Sequence, residues 1–337
     1  MNGDQRVTLR TVARAAGVSV PTVSRVLNGS GLVSEATRAR IESLLRRYDY
    51  RPRNAGPARS PGLIQVFYPR IDTEWQAEHI RGMESVMHDA GLGLVVSALD
   101  RDPPGAGQAR MDGAILAAAS GDSPLGAALA ERDVPLIALD PAAKAEAILP
   151  TIAAANWTGA RRATEHLIEL GHRRIGVITG SRGGLTCSRA RLDGYRAALE
   201  DARIPEDPGL VEHGEFSYGA GLTAAGKLLD RADPPTAIFA FSDHIALGVL
   251  EAARLREVPV PARLSVVGFD DLPAARWASP ALTTVRQPLQ DMGRLAAQTV
   301  LRLVRRERID TSRMEMSTRL VVRDSTSDRD CRRSAGS

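Results

Sequence analysis

From Leu63 onward, short apolar runs alternate with helical stretches, and this alternation restricts most of the chain to parallel sheets wrapped by helices. The runs Leu63–Tyr68, Gly93–Val96, Gly113–Leu116 and Leu136–Leu139 form one series, with a helix over Ile80–Ala90. A second series follows at Arg174–Thr179, Ala237–Phe241 and Leu264–Phe269, with helices near Arg189–Ala202 and Ile245–Arg254. Two series imply two doubly wound lobes. In such sheets ligands bind beyond the carboxyl ends of the strands, so a cleft between two lobes brings two such ends face to face. Asp140 follows the Leu139 run, Ser242 and Asp243 follow Phe241, Asp270 and Asp271 follow Phe269, and Arg191 follows the Thr179 run. Carboxylates and a guanidinium can accept from and donate to vicinal hydroxyls. Trp75 and Trp157 offer flat faces to sugar C–H surfaces. Each also has a plain structural reading, since Asp at a strand end caps helices and Trp fills cores. Asp243, just before a helix, reads as a cap rather than a ligand contact.

The first 59 residues lie outside this pattern. They hold eleven arginines against Asp4, Glu35, Glu42 and Asp49, an excess that suits a polyanion. Over Leu9–Asn28, apolar and small residues recur at helical spacing on both sides of Gly17. Thr8 can cap the first helix, Val12, Ala13 and Ala16 face inward, and Gly17 supplies a positive φ. Ser19 can cap the second helix, Pro21 tolerates its first turn, and Val23 and Val26 face back. A third helix capped by Ser34 runs through Ile41, Leu44 and Leu45 to about Tyr48. This is the spacing of a helix-turn-helix, whose second helix enters the DNA major groove. The segment Pro52–Gly62, rich in Pro, Gly and Arg, reads as a linker.

Other classes are disfavoured. No apolar run approaches the roughly 18 residues of a membrane span, and the N-terminus lacks the core of a secretory signal, so a cytoplasmic protein is expected. Cys187 and Cys331 have no ligand or disulfide spacing, and no metal or cofactor is expected. No Walker, dinucleotide, G-x-S-x-G or H-E-x-x-H motif occurs, and His166 and His172 read as structural. A catalytic role is not expected. A transport-type sugar-binding protein would have no use for the head.

The strings Val7-Thr8-Leu9, Ala16-Gly17-Val18-Ser19, Thr22–Asn28 and Tyr50-Arg51-Pro52 resemble the head of the lactose-repressor (LacI/GalR) family. Further strings stand in the same family order: Gly171–Ile175, Arg191–Tyr195, Val266–Asp271 and Leu282–Pro288. The resemblance implies an all-α helix-turn-helix head joined to an α/β effector domain like a periplasmic binding protein. It implies that Val20, Pro21 and Arg25 read bases, with Arg25 able to bond guanine bidentately. Thr8, Ser19, Thr22, Ser24 and Asn28 suit phosphates. The family's hinge helix wedges a leucine into the minor groove, but here Gly56-Pro57 and Pro61-Gly62 break helix and leave Ala58 and Arg59 as the groove candidates. Effector contacts are implied at Arg191, Asp270, Ser242 and Asp140, with Asp72 to Trp75 lining the first lobe. Several relatives carry asparagine where Ser242 stands.

The expected domains are a head over 1–52, a hinge over 53–62 and an effector and dimerisation domain over 63–324. Its first lobe spans about 63–154 plus 288–312, and its second about 157–283. Crossovers are expected near Ala154–Asn156 and Thr284–Gln287, followed by a disordered tail over 325–337. The expected partners are a pseudo-palindromic double-stranded operator, a second copy of the chain and a small effector. The effector reads as an inducing sugar, with a co-repressor such as a purine as the alternative.

Overall fold

The computed structural model describes residues 8–27, 33–48, 61–99, 110–118, 124–141, 149–180, 185–309 and 311–329. Asn28, Ala58, Arg59 and the hinge up to Ser60 therefore lie outside the described residues. The chain divides into two compact units, Met1–Ser60 and Pro61–Ser337.

The head consists of α1 (Leu9–Ala16), α2 (Val20–Leu27) and α3 (Glu35–Arg47). Thr8 and Thr11 form a reciprocal capping box, which satisfies backbone donors that a helix start leaves open. Gly17 sits at φ 65°, and the chain turns there because no Cβ opposes that conformation. Ser19 and Ser34 cap the next two helices, accepting from Thr22 N at 3.3 Å and Thr37 N at 3.4 Å. Val12, Ala13, Ala16, Val23, Val26 and Ile41 form a small buried core.

The second unit begins with β1 (Leu63–Tyr68), α4 (Glu74–Ala90), β2 (Gly93–Ala98), β3 (Gly113–Ala117), α5 (Pro124–Glu131), β4 (Leu136–Leu139) and β5 (Thr151–Ala154). It continues through α6 (Asn156–Glu169), β6 (Ile175–Thr179), α7 (Thr186–Asp201), β7 (Val211–His213), α8 (Tyr218–Leu229), β8 (Ala237–Ala240) and α9 (Asp243–Leu255). It closes with β9 (Ser265–Asp270), α10 (Pro273–Trp277), β10 (Thr283–Arg286), α11 (Leu289–Val304), β11 (Arg313–Met316) and β12 (Arg319–Val321). Two six-stranded sheets result, ordered β11-β5-β4-β3-β1-β2 and β12-β10-β9-β8-β6-β7. Only β12 is antiparallel to its neighbour. The central strands are apolar runs because helices cover both of their faces.

The expected lobe boundaries need correction at the C-terminal side. β11 pairs with β5 in the first sheet, whereas β10 and β12 belong to the second. The chain thus crosses between lobes three times: at Ala155, at Gln287-Pro288 and at Ser317-Thr318. The crossings are tied together, with Ala155 N donating to Met316 O at 2.8 Å and Thr318 Oγ1 donating to Ala155 O at 3.2 Å.

The expected disordered tail is also corrected where it is described. Ser325 is fully buried; its hydroxyl donates to Val266 O at 2.6 Å and accepts from Thr283 N at 2.8 Å. Arg329 N donates to Leu170 O at 2.9 Å. The polar composition of this stretch serves hydrogen bonds to lobe 2 rather than solvation. His172 is structural as expected, bridging Thr236 and Ser265 at 2.9 Å each.

In the first lobe, α4 and α11 lie backbone to backbone. A Cβ on Gly293 would stand 2.2 Å from His79 O, so only glycine permits that approach. The pair behaves as one packed body.

Candidate functional site

Two surfaces carry candidate chemistry, one in each unit. In the head, Pro21 and Arg25 stand exposed one turn apart on α2, which is the reach of an element laid in a groove. Val20 is half-buried and packs against the head core, so only part of it can face outward. The Ser19 and Thr22 hydroxyls bond each other at 2.8 Å, and Thr8 is engaged by its cap.

In the second unit, a cavity of about 330 Å³ lies between the carboxyl ends of the two sheets. Its floor is buried and polar: Asp140, Arg191, Ser242 and Asp270 are each at most 6 % exposed. The end of β4 places Asp140 at φ 44°, and the end of β9 places Asp270 at φ 127°, conformations that cost a residue with a side chain about 1–3 kcal/mol. Arg191, from α7, lies 3.7 Å over the Phe269 ring. It donates to Asn156 Oδ1 at 2.8 Å and to Phe241 O, which fixes its plane. Asp270 accepts from Gln287 Nε2 at 2.6 Å, and Asp140 accepts from Ala154 N at 3.4 Å. Burial pushes the Asp140 and Asp270 carboxyls up to about 6, against the pull of Arg191. Their remaining acceptor positions suit a neutral ligand rich in hydroxyl donors. Ser242 caps α9 by accepting from Ile245 N at 3.2 Å, and it lines the floor as well.

The mouth is more open. Asp72 and Trp75 border it from the first lobe as expected, and Phe216, Glu215 and His244 border it from the second. Trp75 stands edge-on to His79, with 4.3 Å between ring centroids, and His79 is fully buried with its pKa lowered to about 3 by desolvation. The structure thus gathers Asp72, Trp75, Asp140, Arg191, Ser242 and Asp270 in one cavity.

Trp157 is not among them. It sits in the first turn of α6, is 40 % exposed, and lines an adjoining cavity of about 100 Å³ that shares Asp140 and Cys187 with the first, with Arg161 5.5 Å from its ring. Asp243 is not the cap expected of it, because Ser242 takes that role. Asp243 is fully buried, accepts from Leu272 N at 2.7 Å and binds the Thr284 hydroxyl at 2.5 Å. Asp271 points away from the cavity into Arg286 and Arg323. Sequence reasoning missed Cys187, Phe216, His244 and the Arg191 partner Asn156. Of these, His244 had a signal, being adjacent to Ser242-Asp243 at a strand end.

The fold and the two surfaces define a transcription regulator with a DNA-reading head and a two-lobed effector domain. Comparison with known proteins agrees: residues 8–53 match the model of bacterial regulatory proteins of the lacI family, and residues 164–326 match a periplasmic binding protein-like domain. The chain belongs to the LacI family. It is 34 % identical to the HTH-type transcriptional regulator DegA of Bacillus subtilis, over 96 % of this chain and 98 % of that protein. It is 33 % identical to the HTH-type transcriptional repressor CytR of Escherichia coli, over 95 % and 96 %. Among solved structures, the CelR–cellobiose complex matches with a TM-score of 0.74 at 33 % identity, covering 95 % of this chain and all of that one. The lac repressor dimer bound to operator and the anti-inducer ONPF matches at 0.70 and 27 % identity, covering 96 % and 100 %. Among the described residues, no helix is long and apolar enough to cross a membrane.

Proposed function

We propose that the protein is a cytoplasmic homodimeric repressor of carbohydrate-utilisation genes, released from a pseudo-palindromic operator by a neutral sugar bound in the interlobe cavity. The observation that carries the reading is the buried Asp140–Arg191–Asp270 floor of a cavity that Trp75 also lines. It offers several acceptors and one fixed donor array to a polyol, away from bulk water. The relatives support it, one being a repressor by name and another having been solved with cellobiose. Arg25 and Pro21 supply base contacts, while Thr8, Ser19, Thr22, Ser24 and Asn28 supply backbone contacts, together with Ala58 and Arg59 from the hinge. Asp72, Trp75, Asp140, Arg191, Ser242 and Asp270 hold the effector. Effector and DNA oppose each other because each favours a different arrangement of the lobes.

The test is selection of bound genomic fragments by the purified protein, with and without a mixture of neutral mono- and disaccharides. Enrichment of a two-fold symmetric sequence that sugar abolishes is expected. Enrichment only in the presence of added ligand would reverse the sign and make the protein a co-repressor-dependent regulator.

A further inference from the structure

Among the described residues, two side-chain contacts join the lobes at the cavity mouth. Glu74, in the first turn of α4, accepts a hydrogen bond at 2.8 Å between its Oε2 and Nε2 of His244, in the first turn of α9. Arg70, just after β1, pairs with Asp72 of its own lobe at 2.8 Å and also stands 3.6 Å from Glu215, just after β7. Glu74 and Arg70 belong to the first lobe, His244 and Glu215 to the second. Both pairs lie outward of the buried floor, for Glu74 is 45 % exposed and Arg70 and Glu215 are more so. His244 is the least exposed of the four and is itself a wall of the cavity.

The first turns of α4 and α9 are also where the site's own residues sit. Trp75 follows Glu74 directly, and Ser242 caps the helix that bears His244. A separation of the lobes that admitted a ligand would break both contacts at once. No backbone link replaces them at the mouth, since the three covalent crossings lie at Ala155, Gln287-Pro288 and Ser317-Thr318.

We propose that the Glu74–His244 and Arg70–Glu215 pairs are a clasp that holds the lobes closed over the cavity, so that His244 is at once an effector-site wall and the contact through which occupancy becomes lobe position. The proposal deepens the reading of the cavity as the effector site. A closed clasp limits the access of water to the buried carboxylates and keeps Trp75, next to Glu74, at the wall of the cavity. An effector that fits beneath it adds its contacts to those of the clasp, and one too large holds it open. His244 therefore acts on effector affinity through closure, as a positioning residue.

Cys187 provides a reporter that needs no effector, because its thiol lines the cavity and burial pushes its pKa up to about 11. In a Cys331→Ser background it is the only thiol of the full chain, and its rate of modification by a small disulfide reagent reads the open population. Glu74→Ala and His244→Leu should each raise that rate about fivefold, as expected for loss of one charge-assisted hydrogen bond. The double variant should be no faster than either single one, because the two act as one contact. Arg70→Glu should raise the rate too, and adding Glu215→Arg should restore it. Asp291→Ala breaks an ion pair within the first lobe and should change nothing. Unaltered rates in both single variants, or effects that multiply in the double one, would overturn the clasp. Since no effector is added, the outcome does not depend on the cavity's ligand being a sugar.

Discussion

Asp140→Asn should stabilise this protein near neutral pH while weakening it as an effector binder. The carboxyl is fully buried, and desolvation raises its pKa from 3.8 to about 6 even with Arg191 nearby. Because the folded-state value lies above the unfolded one, the fold favours the protonated form. That contribution is complete below 3.8 and is lost as pH rises through about 6. Relative to an unshifted carboxyl fully protonated at low pH, Asp140 therefore costs about 3 kcal/mol at pH 7, where it is ionised, and about 1 kcal/mol at pH 4.5, where folding makes it take up a proton, from a displacement of roughly two pH units. Asparagine matches the shape, can keep the bond from Ala154 N, and is among the residues most tolerant of the left-handed backbone at φ 44°. Losing a negative neighbour leaves Arg191 less compensated, so a gain of 1–2 kcal/mol at pH 7 is a realistic figure, on the order of half the full term. Urea midpoints followed by tryptophan fluorescence at pH 7 and pH 4.5 measure it. A variant less stable at pH 7, or a gain of the same size at both pH values, would show that the ionised carboxylate carries no such penalty and would remove the physical basis of the cavity floor as drawn here.

Other substitutions separate the parts of the molecule. Arg25→Ala should abolish discrimination between specific and random duplexes in an anisotropy titration while leaving effector affinity within twofold, a split that a misfolded head domain would not prevent but a shared site would. Gly293→Ala places a methyl against His79 O and should lower stability by about 2–3 kcal/mol or force α4 and α11 apart, read as a drop in melting temperature with lost protection of α4 amides. Ser325→Ala leaves Thr283 N without its acceptor in a fully buried setting and should cost about 1–3 kcal/mol in urea denaturation.

Legibility in the sequence followed burial. β1, β3, β4 and β9 are covered on both faces and read as apolar runs because a polar side chain is buried there only with a partner, as Gln65 is with Ser97 and Ser265 with His172. β11 alternates exposed and half-buried residues as Arg-Met-Glu-Met at a sheet edge, and β7 is Val-Glu-His, so neither announced itself and the third crossing went unseen. Asp140 and Asp270 were legible because each ends an apolar run. Phe216 and Cys187 were not, for loop residues and helix first turns carry no period that says which way they face. Trp157 shows the same limit from the other side. Its residue type suits a sugar face, but its place in the first turn of α6 turns it to another cavity, and type alone does not carry direction.

The cavity and the start of β1 belong to the same packed body. α4 brings Trp75 and Glu74 to the mouth, and its glycine-mediated contact with α11 leaves no room for the two helices to slide. At the amino ends of the first sheet's strands, α11 residues Val300 and Leu301 share a core with Ile64 of β1. There Asp112 accepts from Gly62 N at 2.9 Å and Leu63 N at 3.1 Å, fixing the start of the strand to the sheet. A change in lobe closure at the mouth thus acts on a body whose other end carries the attachment of the DNA-reading head. Because close-packed interiors shift between discrete arrangements rather than deforming smoothly, a small motion at Trp75 is expected to reach Gly62 as a displacement of the whole lobe. No separate wire of side chains is required.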